Sequence, residues 1–291
     1  MHTLSFHKFS PGGNTTILVT DGTIVACNRA SVAAALMAPL HLQAEQVGFV
    51  TYGTPHSLPR LDMMGGEFCV NATRSLAALL AQQGQLTPRP DGTFTGMVSV
   101  SGADAPLEVV VSTIPACGCG NVTPPHPASP LHAAVCLPLE KAPRIAALAH
   151  WLHRVDLPGI THLLLDSAHF PFPADPATTA RDLRAAHGLT NADAVGCIWY
   201  TRHADILAID PVVWVRDTDS THHETACGSG TLALALHVHG PGPTPATVAI
   251  RQPSGAHITV SLTTGQDGTA LAWIGGPVQL IARGETYVPR P

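Results

Sequence analysis

Two stretches decide the fold of this chain. One is Glu224-Thr225-Ala226-Cys227-Gly228-Ser229-Gly230-Thr231, running into Leu232-Ala233-Leu234-Ala235-Leu236; the other is Glu67-Phe68-Cys69-Val70-Asn71-Ala72-Thr73-Arg74, running into Ser75-Leu76-Ala77-Ala78-Leu79-Leu80. In each, a cysteine stands just before the first turn of an apolar helix. Asn or Ser follows it two residues on, and Thr four residues on. One copy in each half of the chain implies two similar units and a symmetric site with one sulfur from each.

Short strand-like runs bounded by Gly, Pro and Asp surround these segments. They cover 15–20, 46–52, 95–100, 107–112, 161–166, 195–201, 212–216, 247–252, 257–263 and 278–283. Helical patterns cover 29–37, 73–83 (ending at Gly84), 142–155 and 231–238 (ending at Gly240), a glycine after the last turn being a common stop. Strands interrupted by single helices give an α+β chain with mixed sheets. The Pro- and Gly-rich stretch 115–130 reads as the inter-domain connection. The expected domains are 1–118 and 119–274, divided at that connection.

The chain has 291 residues, 45% of them hydrophobic and 12% charged, so it is globular and long enough for two domains. A net charge of −5 argues against nucleic acid as partner, since phosphate contacts need clustered Lys and Arg. No run of about 18 apolar residues suggests a membrane span. Met1-His2-Thr3-Leu4-Ser5-Phe6 lacks the basic-then-apolar pattern of a secretory signal. A cytoplasmic protein is expected, and its seven cysteines read as reduced thiols. The only lysines, Lys8 and Lys141, sit in no phosphate-cradling context. A pyridoxal-phosphate Schiff base is therefore not indicated, and no cofactor is expected.

A thiol at a helix N-terminus feels the positive end of the helix dipole and the free N–H groups there, both of which favour thiolate. The same N–H groups suit a carboxylate ligand. An amino acid held between two such helix starts would present its α-carbon to a sulfur on each face. One thiolate could remove the α-proton and the opposite thiol could return one, which is racemisation by general acid–base catalysis. Backbone N–H groups would stabilise the charge that develops on the carboxylate. Cys27, Cys117, Cys119, Cys136 and Cys197 read instead as small buried hydrophobes. Cys117-Gly118-Cys119 has no second pair at zinc-finger spacing. His222-His223 and His237-x-His239 lack a carboxylate partner, so no metal site is expected, and most of the 17 histidines read as surface or satisfied core residues.

These residues resemble the diaminopimelate epimerase superfamily. Within it, the chain is most similar to the cofactor-independent histidine racemases of staphylopine-type metallophore biosynthesis. Cys69, Asn71 and Arg74 match the first family motif, Cys-Gly-Asn-Gly-x-Arg, and Ala226-Cys227-Gly228-Ser229-Gly230 meets the second. Phe9-Ser10-Pro11-Gly12-Gly13-Asn14 resembles the segment whose Asn contacts substrate. His162 falls where the family has Gly-Asn-Pro-His, and Gly276-Pro277-Val278 with Arg283-Gly284-Glu285 resembles the C-terminal strand, implying that 275–291 returns to the first domain. The resemblance implies two pseudo-symmetric α/β domains, each a mixed sheet wrapped around a central helix, with the active site in the cleft between them. It implies Cys69 and Cys227 as catalytic residues and Asn14, Glu45, Val70, Asn71, His162, Glu224, Gly228 and Ser229 as substrate-binding residues.

The departures bear on the substrate. The diaminopimelate enzymes have an Asn where Ile160 stands, another Asn on the strand around Cys197, and a Glu-Arg pair before the second motif. None of these is reproduced here. Those groups hold the distal end of diaminopimelate, so a different amino acid is expected. Histidine is indicated by similarity at Glu45-Gln46-Val47-Gly48-Phe49, Gly66-Glu67-Phe68-Cys69, Cys227-Gly228-Ser229-Gly230-Thr231 and Gln252-Pro253-Ser254-Gly255. Glu45 is expected to orient the substrate by its amine or imidazole, and His162 to lie near a sulfur and tune its protonation. Glu67 and Glu224 are expected to face outward or to bind the substrate ammonium. Three readings stay open beside this one: a proline, hydroxyproline or other amino-acid epimerase of the same fold; a non-catalytic His-rich metal-binding protein; and, less favoured, an isomerase of the phenazine-biosynthesis type. The expected partner is a small-molecule amino acid, and a homodimer is open.

Overall fold

Strands dominate, as the alternating runs dictate. The computed structural model describes residues 1–22, 24–114, 123–139, 143–203, 206–240 and 245–289. In chain order the elements are β1 (His2–Pro11), β2 (Thr16–Val19), α1 (Arg29–Met37), β3 (Gln46–Thr51), β4 (Arg60–Met63), α2 (Val70–Gln82), β5 (Thr87–Pro88), β6 (Phe94–Val100), β7 (Leu107–Thr113) and β8 (Leu131–Pro138). There follow β9 (Arg144–Ala149), β10 (Leu152–Leu157), β11 (Ile160–Asp166), α3 (Pro176–Ala186), β12 (Ala194–His203), β13 (Ile206–Val215), β14 (Ser220–His223), α4 (Gly228–His239), β15 (Ala246–Arg251), β16 (His257–Thr264) and β17 (Ala270–Val288). No helix among the described residues is long and apolar enough to cross a membrane.

The chain forms two compact units, Met1–Cys136 with Gly275–Pro291, and Leu137–Ile274. The chain passes between them within β8 and within β17. The boundary expected at 118/119 lies outside the described residues, as do Cys117, Cys119, Lys141 and part of the 115–130 connection. Residues 131–135 stay with the first unit because they pair antiparallel with β7.

In the first unit β1 pairs antiparallel with β17 and β2, β2 parallel with β3, and β3 antiparallel with β4. From there β4 runs parallel to β6, β6 antiparallel to β7 and β7 antiparallel to β8, which pairs with β17. This ring of strands encloses α2. Every residue of α2 from Val70 to Ala81 is buried, so the helix must be clad in apolar or satisfied groups on all sides. The short Leu and Ala side chains at Leu76, Ala77, Ala78, Leu79 and Leu80 allow that fit.

The second unit repeats the plan around α4, whose Leu232, Ala233, Leu234, Ala235 and Leu236 are at most 1% exposed. Each buried Leu contributes about 1.5–3 kcal/mol over an exposed one. Strands β11 and β12 run parallel, β12 antiparallel to β13, β13 parallel to β15, and β15 antiparallel to β16. Successive side chains alternate between faces. Leu164 and Ile198 pack with α4, while Leu163, Leu165, Cys197 and Trp199 pack on the other face with Ala180 and Leu183 of α3. A sheet covered on both sides explains the unbroken apolar runs Leu163-Leu164-Leu165 and Val195-Gly196-Cys197-Ile198-Trp199.

Strands β1, β4, β5, β8 and β14 lie outside the runs read from the sequence, and two further stretches depart from that reading. The stretch 142–155, read as a helix, instead supplies from residue 144 onward most of the antiparallel pair β9–β10, with β10 also paired to β11. Ala-Leu-Ala favours helix locally, but Leu152 and Val155 find their core only as strand residues, and packing overrides propensity. Helix α3 is absent from the pattern reading. Its signal is the start itself: Asp175 caps it, accepting the Thr178 N–H at 3.1 Å, and Pro176 opens it.

Candidate active site

The two cysteines hold the same position on their helices. Cys69 is the N-cap of α2 at φ −127°, ψ 112°, and Cys227 the N-cap of α4 at φ −132°, ψ 107°. An N-cap side chain ordinarily offers an oxygen to the third helical N–H. Here sulfur takes that role: Ala72 N–H donates to Cys69 Sγ at 3.3 Å, and Gly230 N–H to Cys227 Sγ at 3.4 Å. The threonine four residues on repeats too. Thr73 Oγ1 donates to Cys69 O at 2.8 Å, and Thr231 Oγ1 to Cys227 O at 2.6 Å. These bonds fix each cysteine's carbonyl, leaving the sulfur at the positive end of the dipole. At Gly230 a Cβ would lie 2.7 Å from Ile198 Cδ1 and 3.3 Å from Cys227 Sγ, so a larger residue would have to push the end of Ile198 aside.

The surroundings of the two sulfurs differ. Cys69 is partly exposed, and its thiol donates to Gln46 Oε1 at 2.8 Å. Cys227 is buried, and its thiol is pushed well up, first by burial and then by the Glu224 carboxylate, which acts both as a charge and as a hydrogen-bond acceptor. Ser229, with Oγ 3.6 Å from the sulfur, and the Gly230 N–H work the other way. Cys227 is therefore a thiol at neutral pH. Its own N–H donates to Gln252 Oε1 at 2.9 Å, and Gln252 Nε2 donates to Thr231 Oγ1 and Ile250 O, both at 3.0 Å.

In the first unit the expected residues gather along one hydrogen-bonded path. Asn14, fully buried, donates from Nδ2 to Glu45 Oε2 at 3.2 Å and accepts from Thr16 Oγ1 at 3.1 Å. The Thr15 N–H donates to Glu45 Oε1 at 3.1 Å. Glu45 adjoins Gln46, which holds Cys69. Val70 and Asn71 open α2 just beyond that sulfur, both buried. In the second unit Glu224, Cys227, Gly228 and Ser229 lie within six residues of one another in sequence, and Glu224 and Ser229 both act on the Cys227 sulfur.

His162 is fully buried in β11, on the α4 side of the sheet against Gly196, where an added Cβ would meet its Nδ1. Burial holds it neutral, pulling it down to about 3, with a smaller opposing pull from the Gly196 backbone. Neither ring nitrogen has a hydrogen-bond partner of ordinary geometry, so the imidazole bonds to no sulfur. Glu224 faces inward beside Cys227 at 7% exposure rather than outward, because its N–H is anchored to Pro211 O at 2.9 Å. Glu67 is partly buried and accepts from the Gly65 N–H at 2.9 Å.

Among the other described cysteines, Cys136 and Cys197 are buried and inert, pushed up to about 11 and about 12 chiefly by burial. Cys27, read as buried, is exposed on the turn before α1. Among the described residues no three His, Cys, Asp or Glu are placed to hold a metal. Gln46 and Gln252 lie in stretches noted for their resemblance, yet nothing in their local pattern shows that each would bond to a cysteine distant in sequence. Arg74 is visible in the first motif without a role.

The fold matches solved structures at low identity. A Bacillus anthracis phenazine biosynthesis protein of the PhzF family superposes at TM-score 0.67 with 11% identity, over 99% of this chain and 100% of that one. A hydroxyproline epimerase from Agrobacterium vitis does so at 0.62 with 13% identity, over 99% and 94%. Sequence supplies the class: the chain is an isomerase of the amino-acid racemase and epimerase kind. It belongs to the histidine racemase family, whose sequence model, described as the histidine racemase CntK N-terminal domain, matches residues 3–287. The histidine racemase of Fusobacterium nucleatum is 28% identical over 98% of this chain and 97% of its own length.

Proposed function

We propose that this chain interconverts L- and D-histidine without an organic cofactor, Cys69 and Cys227 acting as the two bases on opposite faces of the α-carbon. The observation that carries the reading is the repeated N-cap geometry, in a chain of the histidine racemase family. The substrate is a free amino acid. Its carboxylate is held by the N–H groups of Val70, Asn71, Gly228 and Ser229, since those of Ala72 and Gly230 are already spent on the sulfurs. The thiolate takes the α-proton, the opposite thiol delivers its own proton to the other face, and charge on the carboxylate is stabilised at the helix starts. Glu45 orients the ammonium or imidazole of the substrate. Asn14 and the Thr15 N–H aim its carboxylate.

The direct test is incubation with L-histidine in deuterated water, following optical rotation and α-deuteration, beside proline, hydroxyproline and other L-amino acids. Loss of rotation confined to histidine, with deuterium entering the inverted product before the recovered substrate, is the expected result. Turnover of proline alone would replace histidine as substrate. Stoichiometric metal binding with no α-deuteration of any amino acid would remove the reading.

A pH prediction follows from Glu224. Its charge raises Cys227, so Glu224→Gln lowers it. Racemisation needs Cys227 as a thiol when Cys69 is the base. The alkaline limb of kcat/KM is therefore expected to move to lower pH in Glu224→Gln, and an unmoved limb would remove Glu224 from the titration.

A further inference from the structure

Gln252 opens the turn that joins β15 to β16, and it is buried. Its polar head is fully spent. Oε1 accepts the Cys227 N–H at 2.9 Å, and Nε2 donates to Thr231 Oγ1 and to Ile250 O, both at 3.0 Å. The directions are forced: the Cys227 N–H can only donate and Ile250 O can only accept, so the amide has one orientation. Thr231 Oγ1 receives an amide hydrogen because its own hydrogen goes to Cys227 O at 2.6 Å. One side chain thus holds both polar groups of the Cys227 backbone, the N–H directly and the C=O through Thr231.

The turn behind Gln252 is closed by its own bonds. Gln252 N–H donates to Ala256 O at 2.8 Å, Gly255 N–H to Gln252 O at 2.9 Å, and Ala256 N–H to Ser254 Oγ at 3.3 Å. Gly255 sits at φ +83°, the left-handed conformation that glycine adopts without strain. The same turn also reaches the segment before the cysteine, Ser254 N–H donating to Thr225 O at 3.0 Å. A buried amide is costly unless its bonds are made, and here two of its three bonds serve the cysteine that caps α4. The first unit uses its glutamine differently, Gln46 Oε1 meeting the Cys69 thiol itself.

We propose that Gln252 is a positioning residue: it fixes the Cys227 backbone, and so the direction of its sulfur, for proton transfer on one face of the substrate. The inference rests on reading the two sulfurs as the reacting pair. Gln252 acts only through the peptide groups of Cys227 and through Thr231. With both peptide groups held, the sulfur keeps only its rotation about Cα–Cβ, and the Gly230 N–H at 3.4 Å selects one setting of that. The turn of β15–β16 is therefore the seat of one base and not of the other, and damage to it should appear on one face of the α-carbon alone.

The experiment incubates the full chain with L-histidine and, separately, D-histidine in deuterated water, and reads α-deuterium in the recovered enantiomer at early times. Each enantiomer is labelled by the sulfur on its own face, and Cys227→Ser identifies the one that depends on Cys227. Gln252→Met keeps length and bulk but leaves the Cys227 N–H without its acceptor. It is expected to lower labelling of that enantiomer by ~10²-fold, the cost of a displacement of about 1 Å at a reacting group, and to leave the other at the parent rate. Thr231→Val cuts the second arm and should give the same one-sided loss. Thr231→Ser keeps the hydroxyl and should regain most of it. A support of the fold in general would not act on one face: an equal fall for both enantiomers, or parent labelling of both, in folded Gln252→Met overturns the proposal. If Gln252→Met does not fold, Thr231→Val against Thr231→Ser decides by the same readout. A parent that labels neither enantiomer removes the proposed function and this inference with it. A parent that labels both, beside variants that lose both alike, removes this inference alone.

Discussion

Replacing either sulfur by oxygen, Cys69→Ser or Cys227→Ser, is expected to lower racemisation by ~10³-fold or more, near the upper end of what a positioned acid or base supplies. A serine hydroxyl keeps the N-cap bond and the backbone, so the loss is chemical rather than structural. It is also one-sided. A protein with a single sulfur can still remove and return a proton on that sulfur's face, so each variant should exchange solvent deuterium into one enantiomer without inverting it, and the two variants should label opposite enantiomers. The double variant should lose the exchange as well, while its racemisation falls little below that of either single one, because residues acting as a unit are not additive. Racemisation and exchange are both read from the same deuterated incubation by chiral chromatography and mass spectrometry. Full two-way turnover in either single variant would end the two-base mechanism.

How much of this was legible in the sequence follows from how local each signal is. The cysteine, the small polar residue two places on and the threonine four places on are all fixed by one helix turn, so both N-caps could be read from spacing alone. The strand runs were legible because alternation is local. The antiparallel pair at 144–157 was not, since its Ala- and Leu-rich stretch satisfies a helix until Leu152 and Val155 are seen to need the sheet. The electrostatics were the least legible. Glu67 and Glu224 look equivalent beside their cysteines, yet one carboxylate is spent on a backbone N–H and the other is driven against a buried thiol. Gln46, Gln252 and the carbonyls that hold Arg74 reach the helices from elements far away in sequence, and only the closed fold brings them there.

Gly102→Ala is expected to be the most damaging substitution outside the cysteines, although it touches no reacting group. Gly102 lies in the turn between β6 and β7 at φ +72°, and a Cβ there would stand 2.3 Å from Phe68 N and 2.8 Å from Glu67 C. The neighbours cannot step aside cheaply, because they are backbone. The turn is locked to the same peptide from its other side: Ser101 Oγ donates to Glu67 O at 2.8 Å and accepts the Met63 N–H at 2.9 Å. Alanine therefore forces either the turn off Glu67 or the Glu67–Phe68 peptide away from it. The second outcome moves Cys69, the next residue, off its 2.8 Å contact with Gln46. The left-handed conformation alone costs about 1–3 kcal/mol and the overlap a similar amount. Gly92→Ala is the control, at φ +84° with nothing within 4 Å of the added carbon, so it carries the conformational cost without the overlap. Thermal melts should place Gly102→Ala clearly below Gly92→Ala. The folded fraction of Gly102→Ala should also turn over more slowly, since a displacement of about 1 Å at a reacting group can cost ~10²-fold in rate. Equal melts and equal kcat for the two variants would show that the turn can yield, and that the seat of Cys69 does not depend on it.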